Sequence, residues 1–83
     1  MAKTTTDHST IRKWAEARDG RPARVKGTGN AKDAGLLRLD FGKPEENLEA
    51  ITWEEFFDKF EESALALLYE DEPDIRFNKL VSR

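Results

Sequence analysis

Ile51-Thr52-Trp53-Glu54-Glu55-Phe56-Phe57-Asp58-Lys59-Phe60 decides the fold, because it states where a helix starts and which face it buries. Thr52 followed three residues later by Glu55 is a capping box, in which each side chain satisfies a backbone N–H that the helix start leaves without a partner. Ile51 before the cap and Phe56 after it are spaced for a hydrophobic staple. Trp53, Phe56, Phe57 and Phe60 then recur at i, i+3, i+4 and i+7, one apolar stripe backed by Glu54, Asp58, Glu61 and Glu62.

Upstream, Asp7 is placed as the N-cap of a helix over residues 8–19, with Ile11, Trp14 and Ala15 on its buried stripe. Gly20 stands where a left-handed C′ residue is wanted, and Pro22 forbids continuation. A strand over 23–26 follows, with Val25 inward and Arg24 and Lys26 outward. Residues 27–35, with three glycines, read as a flexible connection. The alternation of Leu37, Leu39 and Phe41 against Leu36, Arg38 and Asp40 predicts a strand over 36–41. Residues 42–50 read as a loop that delivers the chain to Thr52.

After the Phe-rich helix, residues 64–70 predict a strand with Leu65, Leu67 and Tyr69 on one face. Asp71-Glu72-Pro73-Asp74 is a turn, and 75–81 a last strand with Phe77 and Val81 inward against Arg76, Asn78 and Leu80. The expected fold is α+β, in the order α-β-β-α-β-β, with two helices on one face of a four-stranded, mainly antiparallel sheet. The expected core is Ile11, Trp14, Val25, Leu37, Leu39, Phe41, Phe56, Phe57, Phe60, Leu65, Leu67, Phe77 and Val81, with Trp53 half exposed.

Eighty-three residues suit one small domain, which at this size buries roughly 60–65% of its unfolded surface. Residues 1–6 read as a polar, disordered leader and 7–83 as the single domain. With no cysteine there is no disulfide framework and no thiolate site, and one histidine removes the usual zinc constellations. No apolar run approaches the roughly 20 residues a membrane helix needs, and Met1–Thr6 lacks the apolar segment of a secretory signal. The expectation is a cytoplasmic chain with no cofactor, metal or membrane.

Net charge is −3, unevenly spread. Residues 1–43 carry ten Lys/Arg against five Asp/Glu, a balance of +5, and residues 44–83 carry four against twelve, a balance of −8. Such asymmetry marks either a solvated helix or a surface for a charged partner. His8 beside Asp7 suits helix-start chemistry better than a metal or proton relay. Gly27-Thr28-Gly29 lacks the Lys-Ser/Thr pair and following helix of a phosphate loop. The carboxylates of residues 54–62 lie on or beside one exposed helix face, so they predict solvation rather than an acid/base pair across a cleft.

One arrangement suggests binding. On the expected open sheet face, Arg24, Lys26, Arg38 and Arg76 come together with Leu36, Ala66, Leu68 and Leu80, and Arg21 and Lys79 extend the rim. Guanidinium groups match carboxylates and phosphates, so that face suits an acidic protein segment or a nucleic-acid backbone. The absence of aromatics from it counts against base stacking. The expected function is a non-enzymatic interaction module for an anionic partner, with a nucleic-acid-associated protein as the alternative.

Asp7-His8, Ile11-Arg12-Lys13-Trp14-Ala15-Glu16, Gly20-Arg21-Pro22-Ala23, Val25-Lys26-Gly27-Thr28-Gly29, Leu39-Asp40-Phe41, Trp53-Glu54-Glu55-Phe56-Phe57 and Arg76-Phe77-Asn78-Lys79-Leu80-Val81 resemble a family of short uncharacterised bacterial proteins. The resemblance runs from about residue 5 to the end of the chain. Members are sometimes labelled 1,4-alpha-glucan branching enzyme, but branching enzymes use a large (β/α)8 domain and this chain is about a third of that length. The resemblance implies a fold unit of this length and no catalytic residue.

Overall fold

The structure, a computed structural model, describes residues 2–27 and 36–83. The chain is α+β, with two helices and six strands: β1 (Ala2–Thr5), α1 (His8–Glu16), β2 (Gly20–Val25), β3 (Leu37–Phe41), β4 (Leu48–Ala50), α2 (Trp53–Glu62), β5 (Leu65–Glu70) and β6 (Asn78–Ser82). The strands form two three-stranded antiparallel sheets, ordered β1-β5-β6 and β3-β2-β4. The expected connection over 27–35 lies, from residue 28 on, outside the described residues.

Both helix starts follow the sequence. The Asp7 carboxylate accepts from the Thr10 backbone N–H at 2.8 Å and from its hydroxyl at 2.6 Å. Those bonds hold its pKa below the ordinary Asp value. At α2 the Glu55 N–H donates to Thr52 Oγ1 at 3.0 Å while the Thr52 N–H donates to Glu55 Oε1 at 3.2 Å, the reciprocal capping box. Ile11, Trp14 and Ala15 of α1 and Phe56 and Phe60 of α2 are buried together with Leu37, Leu39, Leu67 and Tyr69, so both sheets and both helices contribute to one core. Fully burying a side chain such as Phe56, Phe60, Ile11 or Leu67 contributes about 1.5–3 kcal/mol. Trp53 is half-buried, as its position at the helix start implies.

The end of α1 differs from expectation. α1 stops at Glu16, and the left-handed residue is Asp19, at φ 59°, rather than Gly20. Asp tolerates that region because its short polar side chain bonds locally. Gly20 instead opens β2, where a Cβ would sit 2.7 Å from the Phe41 ring and 2.9 Å from the Ala15 carbonyl oxygen. Glycine is required there by close packing.

Two three-stranded sheets replace the expected single four-stranded sheet, and two of their six strands carry no apolar alternation. β1, expected to be part of an unstructured leader, pairs Ala2–Thr5 with Leu67–Glu70, and Lys3 meets Asp71 at 2.9 Å. β4, expected to be loop, pairs Leu48–Ala50 with the free edge of β2. Edge strands with exposed side chains need only backbone partners, so hydrophobic periodicity does not reveal them.

Two registers also shift the expected faces. In β2 it is Arg24, not Val25, that stands opposite Leu37. Val25 lies on the other face and is half-buried. In β6, Leu80 stands opposite Leu67 and packs on the core, while Val81 stands opposite Ala66 on the other face. Phe77, expected in the core, precedes the strand and is 52% exposed. A one-residue difference in where pairing starts inverts every side chain of a strand. Here the turn through Asp74, at φ 66°, leads into a register in which Leu80 rather than Val81 stands opposite Leu67.

Candidate anion-binding cleft

One edge strand of each sheet, β3 in one and β6 in the other, lines the same cleft. One part, about 330 Å3, is bounded by Leu36, Leu37, Arg38, Lys59, Ser63, Leu65 and Leu80. The adjoining part, about 350 Å3, is bounded by Leu37, Arg38, Asn78, Lys79 and Leu80. Leu37, Leu65 and Leu80 give it apolar walls, and Arg38 and Lys79, both exposed, give it positive charge. Arg38 donates to the carbonyl of Leu37 at 2.9 Å. Among the described residues neither Arg38 nor Lys79 meets a carboxylate in an ion pair.

The expected basic sheet face is not assembled from all six cations. Arg21 is held by Asp40, at 3.3 Å, and donates to the Gly42 carbonyl. Asp40 is buried and also accepts from the Glu45 N–H at 3.3 Å, so Arg21 and Asp40 act as a structural pair. Arg24 meets its cross-strand neighbour Glu49 at 3.0 Å. It shares a face with Leu37, whereas Arg38, opposite Ala23, points the other way. Lys26 lies just past β2, its N–H donating to the Asn47 carbonyl at 2.9 Å. Arg76 lies in the connection before β6, its guanidinium 5.7 Å from the Phe41 ring centroid. Of the six, the cleft collects Arg38 and Lys79.

The sequence reading missed Lys59 as a lining residue. Its only signal was its position as the sole cation of α2.

His8 has a structural setting. Its ring stacks on Phe57 with centroids 4.1 Å apart and 6° between planes, and Nε2 lies 2.7 Å from Glu61 Oε2. Arg83 Nη2 reaches the same oxygen at 2.7 Å, and its Nε donates to the Leu65 carbonyl. Arg83 first, and His8 second, hold the Glu61 pKa below its ordinary value. These contacts tie the start of α1 and the last residue to the end of α2.

Among the described residues no cluster of three His, Asp or Glu side chains is arranged to hold a metal ion. No described helix is long and apolar enough to cross a membrane. Comparison with known proteins returns no matching family model, no matching curated protein and no matching solved structure.

Proposed function

We propose that this protein is a small non-enzymatic interaction module that takes an anionic partner in the cleft between β3 and β6. The observation that carries this reading is the pairing of Arg38 and Lys79 over apolar walls, neither engaged by a carboxylate among the described residues. Surface cations matched by neighbours, such as Arg24 with Glu49, offer little to a partner. Two cations without a carboxylate partner among the described residues, beside apolar surface, offer charge-assisted bonds together with area to bury. The acidic face of α2 (Glu54, Asp58, Glu61 and Glu62) repels the same partner and gives the molecule one docking side.

The test is an amide chemical-shift titration at low salt with duplex DNA, single-stranded RNA and an acidic peptide. The expected result is that at least one anion shifts residues 37–38 and 78–80, with the shifts lost as salt is raised. Shifts confined to other surfaces with all three anions would overturn the reading. The resemblance to proteins labelled as branching enzymes adds no catalytic residue to it. Incubation with amylose is expected to leave iodine staining unchanged.

A further inference from the structure

The main chain of β6 is as informative as the side chains around it. Glu70 N–H donates to the Phe77 carbonyl at 3.2 Å and Arg83 N–H donates to the Ala64 carbonyl at 3.0 Å. Both belong to the β5–β6 register in which Leu67 faces Leu80 and Leu68 faces Lys79. Bonded pairs alternate in an antiparallel ladder, so Phe77, Lys79, Val81 and Arg83 turn their N–H and C=O toward β5. Asn78, Leu80 and Ser82 therefore turn theirs away from it. β6 is the last strand of its sheet, and no described residue takes up the main-chain groups of Asn78 or Leu80.

The facing edge of β3 is less available. By the same alternation, with Val25 N–H donating to the Leu36 carbonyl at 2.9 Å, Leu37 turns its backbone outward. Its carbonyl already accepts from Arg38. The open template in the cleft is β6.

We propose that the partner is an extended acidic peptide that adds to β6 as an antiparallel strand; the proposal rests on the anion-binding reading of this cleft. Main-chain bonds to Asn78 and Leu80 give affinity, and alternating side chains give selectivity. A guest residue opposite Leu80 shares its face and meets the apolar walls of Leu37 and Leu65. Its neighbours in sequence fall on the face of Lys79 and suit glutamate or aspartate. The fitting pattern is thus acidic–apolar–acidic over about five residues, the length of β6. A duplex backbone cannot supply the N–H and C=O groups this edge requires.

The experiment uses an amidated heptapeptide of alternating glutamate and leucine, and the same peptide with every leucine N-methylated. The leucine opposite Leu80 exchanges both main-chain bonds with it, so methylation removes those donors and keeps every charge. Expected are shifts at 78–82, slowed exchange of the Asn78 and Leu80 amides, and binding weakened by about tenfold or more on methylation. Lys79→Glu, on an exposed side chain, is expected to weaken binding by about tenfold while the free protein's spectrum keeps its dispersion. Equal binding of the methylated peptide, or unchanged amide exchange, overturns strand addition and leaves the anion-binding reading standing. So does binding of DNA or RNA with no response to the peptide. Dimerisation of the free chain through 78–82 also overturns it, with a second copy as the occupant. No response to any anion removes both readings.

Discussion

Arg18 shows how one side chain fixes a turn that has almost no apolar content. Its guanidinium donates to the carbonyls of Trp14 at 3.0 Å, Ile75 at 2.8 Å and Glu72 at 2.8 Å, and lies 4.4 Å over the Trp14 ring. Only a planar fork with several donors and a flat face can do all of this, so lysine is not a conservative replacement. Arg18→Lys is expected to cost about 1–2 kcal/mol from bonds lost at the turn. Denaturant midpoints measure it, together with faster amide exchange at residues 71–75, and a variant with unchanged midpoint would show that the turn holds itself. Ala64 offers the opposite case. It sits at φ 51° between α2 and β5, a left-handed conformation that costs a non-glycine residue about 1–2 kcal/mol. Ala64→Gly relieves that strain at the expense of a more flexible unfolded chain, so a gain of about 0.5–1 kcal/mol is expected. A lower melting temperature would refute this account.

At the level of elements, legibility in the sequence followed the strength of the local signal. The start of α2 could be read to the residue, because the Thr52–Glu55 box and the Phe stripe are both short-range and mutually consistent. β3 and β5 were legible from alternation within one or two residues of their ends. β1 and β4 were not, because short edge strands with mostly exposed side chains are specified by the partner they pair with rather than by their own pattern. The phase of β6 was hidden for a related reason. Both Phe77/Val81 and Leu80 offer an apolar residue to the core, and the turn geometry, not hydrophobicity, chooses between them. For the expected basic face the limit was the same: cation type was visible, but which face each cation occupies depended on registers that no local pattern encodes. The β6 register carries its own check. Leu80→Ala is expected to cost about 2 kcal/mol, at the low end for leucine truncation because the site is only partly buried. Phe77→Ala, at an exposed position, is expected to stay within about 0.5 kcal/mol. A reversed order in urea midpoints would restore the alternative phase.

For the whole molecule, several ties at the periphery of the fold, one local and two long-range, run through carboxylates whose pKa values are lowered. Asp7 caps α1, Glu61 joins Arg83 and His8, and Asp71 holds Lys3 of β1. The causes are, respectively, the hydrogen bonds from Thr10, those from Arg83 and then His8, and the bond from Lys3. A carboxyl group with a lower pKa in the folded than in the unfolded state adds stability above its unfolded pKa. That stability is lost as pH falls through the folded value. The ordinary values are 3.8 for Asp7 and Asp71 and 4.5 for Glu61, so the loss begins as pH drops through this range and continues below it. Lys3 has the opposite sign. Its pKa is raised above 10.5 by the Asp71 hydrogen bond, so its contribution is present below that value and disappears as pH climbs through the raised one. These exposed pairs are individually weak and screened by salt. The expected profile is therefore a melting temperature that declines progressively below about pH 4.5, more steeply at low ionic strength. The double variant Asp7→Asn, Glu61→Gln should be less stable than the parent at pH 7, and the gap should shrink as pH falls below the ordinary carboxylate values. If the gap between the two proteins stays constant down to pH 2, these carboxylates do not couple protonation to folding, and the acid limb belongs to other groups.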